Sequence, residues 1–160
     1  GKEEDVVGRQ VETKTPVAVA VEVRGRASGR VRLRALPDVS AASLLPFVQE
    51  TVIPGTVVYT DGWRGYARIG SRGFNHRVRP MNAGQDSSRV LPRVHRAISN
   101  LKSWLQGTHH GVSPKHLQPY LDEYAFRFNR RRTPMAAFQT ILGIGSQVPT
   151  VTYKMLCASE

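Results

Sequence analysis

Two separate segments carry residue types that could hold a metal ion and a phosphate group. The first is the apolar run 56–60, which reads as a buried strand and ends directly at Asp61. The second is a predicted helix in which His95 and Lys102 lie seven residues apart. Seven residues make about two turns, so both side chains point the same way. A carboxylate at a strand end, with an imidazole and an ammonium group on one helix face, suits metal-dependent phosphoryl transfer on nucleic acid.

The composition favours a polyanionic partner. The formal net charge is +11, from 23 Lys and Arg against 12 Asp and Glu, and most of the excess is arginine. Guanidinium groups match phosphate geometry, so we expect nucleic acid as the partner. No apolar stretch approaches the length of about 20 residues that spans a membrane, and the polar start of the chain lacks a signal-peptide core. With Cys157 as the single cysteine, these features predict a cytoplasmic protein.

The predicted elements position these groups within one α/β domain over residues 1–160. Residues 1–14 are charged and predicted to be loose, and a helix capped by Asp38 or Ser40 follows two strands. The predicted strands are 16–23, 30–36, 56–60 and 74–79, and the predicted helices are 40–53, 63–69, 91–106, 113–132 and 134–142, with a polar loop at 80–90. This order predicts a mixed sheet flanked by helices.

Several runs of residues carry a family resemblance that covers nearly the whole chain. They are TDGWRGY at 60–66, VHRAISNLKSWL at 94–105, GTHHGVS at 107–113 and YLDEYAFRFNR at 120–130. These runs resemble the bacterial insertion-sequence transposases of the DDE type, which have an integrase-like catalytic core. The closest resemblance is to the ISXO-like subgroup, in which the third metal-site residue varies among Glu, Asn and His.

The resemblance implies a ribonuclease H-like fold with its first strand missing and with extra C-terminal helices. That fold begins with three antiparallel strands, and the first of them carries the first catalytic aspartate. Here only two predicted strands precede the first helix, so we expect the missing strand and its aspartate to lie upstream of Gly1. A chain without that aspartate would be an incomplete catalytic core and would lack cleavage activity.

The resemblance also implies the metal site. Asp61 matches the second aspartate, and His95 matches the third position because the group's lysine follows that position by seven residues, as Lys102 does here. Lys102 would then contact DNA phosphate near the cut end. Asn100 is the rival third ligand, and it lies about 140° round the helix from His95. The expected cofactor is Mg²⁺. Mn²⁺ is the alternative, because an imidazole is a softer ligand than Mg²⁺ prefers.

The arginine run Arg130, Arg131 and Arg132 is a second predicted DNA contact. The alternative interpretation is a solvated helix end, where cations interact favourably with the helix dipole. His109, His110 and His116 lack the cysteines and the spacing of a zinc site, and a turn over the active site is the preferred interpretation. The expected partners are double-stranded DNA, as transposon ends and target, and further copies of the chain in the active complex.

Three functions therefore compete. The first is a DNA transposase that cleaves an insertion sequence and transfers its strands. The second is a catalytically incomplete DNA-binding or assembly module with the same fold and charge. The third is a structure-selective nuclease, which would cut DNA without strand transfer.

Overall fold

A computed structural model describes residues 15–79, 87–109 and 112–147. The strands within these ranges are β1 Val17–Arg24, β2 Ala27–Ala35, β3 Val57–Thr60 and β4 Asn75–Val78. The helices are α1 Ala41–Thr51, α2 Ser87–Val90, α3 Pro92–His109, α4 Leu117–Asn129 and α5 Pro134–Gln147, with single 3₁₀ turns at Arg64–Tyr66, Gly70–Arg72 and Pro114–His116. The predicted loose segment 1–14, loop residues 80–86 and the tail after 147 lie outside the described residues.

The hairpin of β1 and β2 has helices on both faces. Successive side chains of a strand point to opposite faces, and β1 alternates alanine with valine. Ala18 and Ala20 pack into the core that α1 covers, whereas Val17 and Val19 pack into the core beneath α3 and α4. The α/β class predicted from the element order is therefore confirmed.

The strands do not form the single mixed sheet that the sequence predicted. β1 pairs with β2 in one antiparallel sheet, and β3 pairs with β4 in a parallel one, with no ladder between them among the described residues. The predicted burial of β3 is also wrong, since Val57 is 40% and Tyr59 38% exposed. The physical reason is that, within the described part of the chain, one edge of β3 has no neighbouring strand to shield its side chains.

Two helix ends lie beyond the glycines that were predicted to stop them. α3 continues past Gly107 to His109, and α5 continues past Gly143 to Gln147. A glycine inside a helix is less favourable than alanine by only about 1 kcal/mol, so the neighbouring turns can carry the helix through it. Among the described residues, no helix combines the length and the apolar character that crossing a bilayer requires.

Pro119 lies in the first turn of α4, which begins later than the predicted helix 113–132. A 3₁₀ turn precedes the helix, and Pro119 is then its third residue. The first N–H groups of a helix have no intrahelical acceptor, so a proline in the first turn removes no hydrogen bond.

Both predicted caps of α1 take part in its start. Ser40 occupies the N-cap position, but its side chain makes no capping bond. Instead, Asp38 Oδ1 accepts hydrogen bonds from the Ser40 N–H at 2.8 Å and from Ser43 Oγ at 2.7 Å. These bonds favour the ionised form and lower the pKa of the Asp38 carboxyl.

Two amide side chains of α4 close the outer edge of β2. Asn129 Oδ1 accepts from the Val31 N–H at 2.7 Å, and Asn129 Nδ2 donates to the Val31 carbonyl at 3.0 Å. Gln118 Oε1 likewise accepts from the Ala35 N–H at 2.9 Å. The amides occupy the place of a neighbouring strand at Val31 and Ala35, so they satisfy backbone groups of this edge and hinder further strand pairing there.

We expect Asn129→Ala to lower the free energy of unfolding by about 2 kcal/mol, because it leaves a donor and an acceptor of the buried Val31 without partners. Urea denaturation would measure the loss. Asn100→Ala is the control, since Asn100 is an exposed residue of α3 and alanine is the better helix former. Equal effects of the two substitutions would contradict the closing role of Asn129.

Candidate metal and nucleic-acid site

Asp61 lies in an exposed turn directly after β3. Its Oδ1 accepts a hydrogen bond from the Trp63 N–H at 3.1 Å. Gly62 has a φ of +86°, and a Cβ there would lie 2.8 Å from Val78 Cγ1, so both the conformation and the space favour glycine. The turn thus holds the carboxylate beyond the end of the strand, and its Oδ2 has no hydrogen-bond partner among the described residues.

The buried Thr60 anchors this turn from the strand side. Its Oγ1 lies 2.8 Å from His76 Nε2 on β4 and accepts a 3.3 Å bond from the Gly62 N–H. His76 was not predicted to be a site residue. The parallel register that pairs Val58 with His76 brings the imidazole to this position, and no motif in the sequence signals that register.

Tyr66 is a second neighbour that sequence reasoning missed as a site residue. Burial raises the pKa of its phenol, and the negative charge of Asp61 raises it further. The phenol is therefore uncharged at neutral pH, and it lies close enough to Asp61 for the carboxylate charge to act on its pKa. The available signal was the position of Tyr66 at the end of the motif 60–66.

Helix α3 carries His95, Asn100 and Lys102 on one continuous element. Its buried residues are Ala97 and Leu101, which face the core. At 100° per residue, His95 and Lys102 lie on one flank of that buried stripe and Asn100 lies on the other. His95 is half-buried, and the other two side chains are exposed. The shared face predicted for His95 and Lys102 is consistent with this helix, and the roles of all three residues remain predictions.

The end of β3 and the start of α3 border the same cleft. This cleft, of about 830 Å³, is lined by Thr60 and by residues 91–94. Asp61 follows Thr60 in the chain and His95 follows Val94, but no hydrogen bond or ion pair joins Asp61 to His95. In the part of the chain that the structure describes, no three His, Cys, Asp or Glu side chains form a group that could hold a metal ion.

The three arginines at the end of α4 have different surroundings. The Arg130 and Arg131 guanidinium groups stack on the rings of Phe126 and Phe128, each 4.0 Å from the ring centroid. Arg131 also donates to the carbonyl of Ser28 at 2.6 Å and thereby ties α4 to the hairpin. Arg132 is exposed. We infer that Arg131 contributes to the fold, whereas Arg132 is the freest of the three to meet phosphate.

The arginines of β2, Arg30, Arg32 and Arg34, differ in their surroundings. Arg34 forms an ion pair with Glu50 of α1 and lies 5.7 Å from the Phe47 ring centroid. Its pKa is raised, first by the hydrogen bond with Glu50. Arg30 and Arg32 are exposed and line the cleft.

His109 packs among aromatic rings. Its ring centroid lies 4.9 Å from that of Trp104 and 4.6 Å from that of Tyr120, in edge-on arrangements. His116 is exposed in the 3₁₀ turn before α4, and His110 lies outside the described residues. His109 is the last residue of α3, so it does not lie in the predicted turn over the active site.

Comparison with known proteins identifies the class. Residues 1–129 match the ISXO2-like transposase domain, and the chain therefore belongs to that family of insertion-sequence transposases. A protein of Haemophilus influenzae described as an uncharacterized transposase-like protein is 30% identical over 95 residues, which cover 59% of this chain and 76% of the relative. No solved structure matches the chain significantly. The subgroup predicted from the motifs is confirmed.

Proposed function

We propose that this chain forms part of the catalytic core of a DNA transposase that cleaves an insertion sequence and transfers its strands to a target. The observation that carries the proposal is the position of Asp61, an exposed residue that directly follows Thr60, since Thr60 borders the same cleft as the first turn of α3. Membership of the transposase family supports the same reaction class. The enzyme acts on double-stranded DNA in the bacterial cytoplasm as a homo-oligomer.

The proposed architecture is a ribonuclease H-like domain whose first strand is not among the described residues. An antiparallel hairpin, a helix and a parallel pair of strands follow one another in the order that this fold requires. The strand that completes it would supply the first aspartate, and residues 1–160 would form one domain with it. This arrangement accounts for the two separate sheets, because a strand between them would join them.

The donor groups fit a divalent cation in part. Carboxylate oxygen is the ligand that Mg²⁺ prefers, and imidazole extends the choice to Mn²⁺. Asp61 and His95 would hold the ion, with Asn100 as the alternative to His95. When bound, the ion neutralises charge on the phosphate under attack. The Trp63 N–H orients the Asp61 carboxylate at 3.1 Å, and the Lys102 ammonium binds phosphate beside the cut end.

We expect His95→Ala in the full-length transposase to lower metal-dependent DNA cleavage about a hundredfold or more, because a lost ligand removes several kcal/mol of charge stabilisation. Asn100→Ala is the matched control on the other flank of α3, with an expected change within about threefold. Cleavage of end-labelled transposon DNA in Mg²⁺ and in Mn²⁺ measures both. The reverse order of effects would assign the third ligand to Asn100.

A second candidate function is DNA binding or assembly without cleavage. The described residues favour it in one respect, since they contain no group of three metal-binding side chains. Binding of transposon ends without cutting by the full-length protein would establish this function. Cutting without strand transfer would indicate a nuclease on the same fold.

We expect the affinity of the chain for DNA to fall steeply as the salt concentration rises. The chain has a net charge of +11, and its cationic side chains would release counterions from the DNA on binding. Arg132→Ala should reduce the slope of log K against log salt by about 0.9, the value for one phosphate contact. Arg131→Ala is the comparison, and it should mainly reduce thermal stability because Arg131 bonds the Ser28 carbonyl. Fluorescence anisotropy between about 50 and 200 mM salt measures the slopes. A flat response would remove the electrostatic argument.

A further inference from the structure

A buried hydroxyl group links β4 to the turn that carries Asp61. Thr60, the last residue of β3, is 5% exposed. Its Oγ1 lies 2.8 Å from His76 Nε2 and accepts a 3.3 Å hydrogen bond from the Gly62 N–H. That N–H belongs to the peptide unit that joins Asp61 to Gly62, and a peptide unit is planar. The hydroxyl therefore fixes the orientation of the backbone directly after the carboxylate.

The parallel register of β3 and β4 sets the position of this imidazole. Val58 pairs with His76, and Thr60 pairs with Val78. Side chains of paired residues lie on the same face of a sheet, and so do side chains two positions apart along a strand. Thr60 and His76 are therefore diagonal neighbours on one face. Val58 belongs to the same face and packs against the core that α1 covers, so the imidazole reaches the hydroxyl from the core side of the sheet.

The hydrogen-bonding capacity of the hydroxyl determines the state of the imidazole. A threonine hydroxyl has one hydrogen to donate, and its oxygen can accept. Because the Gly62 N–H donates to Thr60 Oγ1, the hydroxyl hydrogen needs an acceptor of its own, and His76 Nε2 is within reach. A hydrogen on Nε2 would leave the buried hydroxyl hydrogen without an acceptor among the described residues, which is unfavourable. The geometry therefore requires a neutral imidazole with its hydrogen on Nδ1.

The other end of the segment 61–66 is anchored independently. The Trp63 indole N–H donates to the Val39 carbonyl at 2.8 Å. A Cβ on Gly65 would lie 2.6 Å from Leu44 Cδ1 and 2.8 Å from the Val39 carbonyl oxygen, so the backbone packs closely against α1 and the residues before it. Loss of the hydroxyl contact would therefore loosen the first peptide unit of the segment without detaching the rest.

We propose that His76 is a positioning residue for the metal site and acts through the Thr60 hydroxyl. The neutral imidazole holds the hydroxyl, and the hydroxyl holds the peptide unit between Asp61 and Gly62. The Trp63 N–H bonds Asp61 Oδ1 at 3.1 Å and completes the arrangement. Two successive N–H groups are thus fixed after Asp61, so the carboxylate loses little conformational freedom when it binds an ion. The inference rests on the proposed function, because it concerns the carboxylate that is proposed to hold the ion.

Two NMR measurements on the 160-residue chain without metal or DNA test the hydrogen bonds. Long-range ¹H–¹⁵N spectra at about pH 8, where an ordinary imidazole is neutral, assign the tautomer of His76, and we expect the hydrogen on Nδ1. Hydrogen exchange of the Gly62 amide should accelerate about threefold or more in Thr60→Val, which removes the hydroxyl and keeps a side chain of similar shape. A hydrogen on Nε2, or unchanged exchange at Gly62, would overturn the proposal.

Substitutions in the full-length transposase test the consequence for the reaction. His76→Leu should lower kcat of DNA cleavage about tenfold and leave KM for DNA within about twofold, because the proposed DNA contacts are unchanged. His76→Gln should recover most of the loss, since the amide oxygen of glutamine can accept from the Thr60 hydroxyl. Asn75→Leu is the matched control, because it places the same new side chain on the opposite face of β4, where Asn75 is exposed, and it should leave kcat unchanged.

The double variant Thr60→Val with His76→Leu separates positioning from a general loss of stability. Both substitutions break the same contact, so the double variant should have a kcat within about twofold of that of His76→Leu alone. Multiplied effects, or equal losses in the Leu and Gln variants, would overturn the proposal. Circular dichroism checks that each variant is folded, and the tautomer measurement on the unmodified chain does not depend on any variant.

The Asp61→Ala variant distinguishes failure of this role from failure of the proposed function. Retained cleavage in Asp61→Ala would remove the metal site itself, whatever the tautomer of His76. Abolished cleavage in Asp61→Ala together with full cleavage in His76→Leu would overturn only the positioning role of His76.

Discussion

Asp61→Ala in the full-length transposase should reduce DNA cleavage about a thousandfold or more while DNA binding persists. The carboxylate would supply the charge that holds a divalent ion at the attacked phosphate, and the arginines proposed to contact DNA lie on other elements. Gel-based cleavage of labelled transposon ends and a parallel mobility-shift assay measure the two properties separately. Retained cleavage with lost binding would refute the assignment of Asp61 to the metal site.

Asp61→Asn separates metal binding from the structure of the turn. The amide oxygen can still accept the bond from the Trp63 N–H that now measures 3.1 Å, but the negative charge is gone. We expect the Asn variant to be nearly as inactive as the Ala variant and to have the thermal stability of the unmodified protein. Recovery of cleavage in the Asn variant would mean that Asp61 acts only by shaping the turn.

Leu121→Ala should lower the free energy of unfolding by about 3 kcal/mol, the central value for a leucine deleted from a packed core. Leu121 is fully buried in the cluster that joins α4 to Leu33 of β2 and Leu101 of α3. A cavity there loosens the contact that positions the helix carrying His95. Urea denaturation monitored by circular dichroism measures the loss.

Leu142→Ala is the control for this prediction, because Leu142 is 56% exposed on α5. The same chemical deletion should change stability by no more than about 0.5 kcal/mol there. A Leu121 effect as small as that of Leu142 would contradict the packing of α4 against β2 and α3.

Local pattern in the sequence was sufficient to predict most of the elements and the position of the main candidate residue, but α2 forms within the predicted loop 80–90 and the predicted helix 63–69 contains only the 3₁₀ turn Arg64–Tyr66. A β-branched run of low polarity predicted β1, the alternation of arginine with apolar residues predicted β2, and the run before Asp61 predicted β3. Because His95 and Lys102 are seven residues apart and both belong to α3, their side chains lie on the same flank of that helix. These features depend on local backbone geometry, which returns side chains to the same face about every 2 residues in a strand and about every 3.6 residues in a helix. The motifs within these elements were sufficient to predict the transposase family.

Tertiary structure decided which distant groups meet. Asn129 bonds Val31 across 98 positions in the sequence, and Arg131 bonds Ser28 across 103. The division of the described strands into two sheets and the closeness of Tyr66 to Asp61 were likewise not predicted. Each depends on how complete helices and strands pack, through contacts between residues that are far apart in the sequence. The sequence alone therefore determined the elements and the chemistry of their side chains, but not the cleft between those elements.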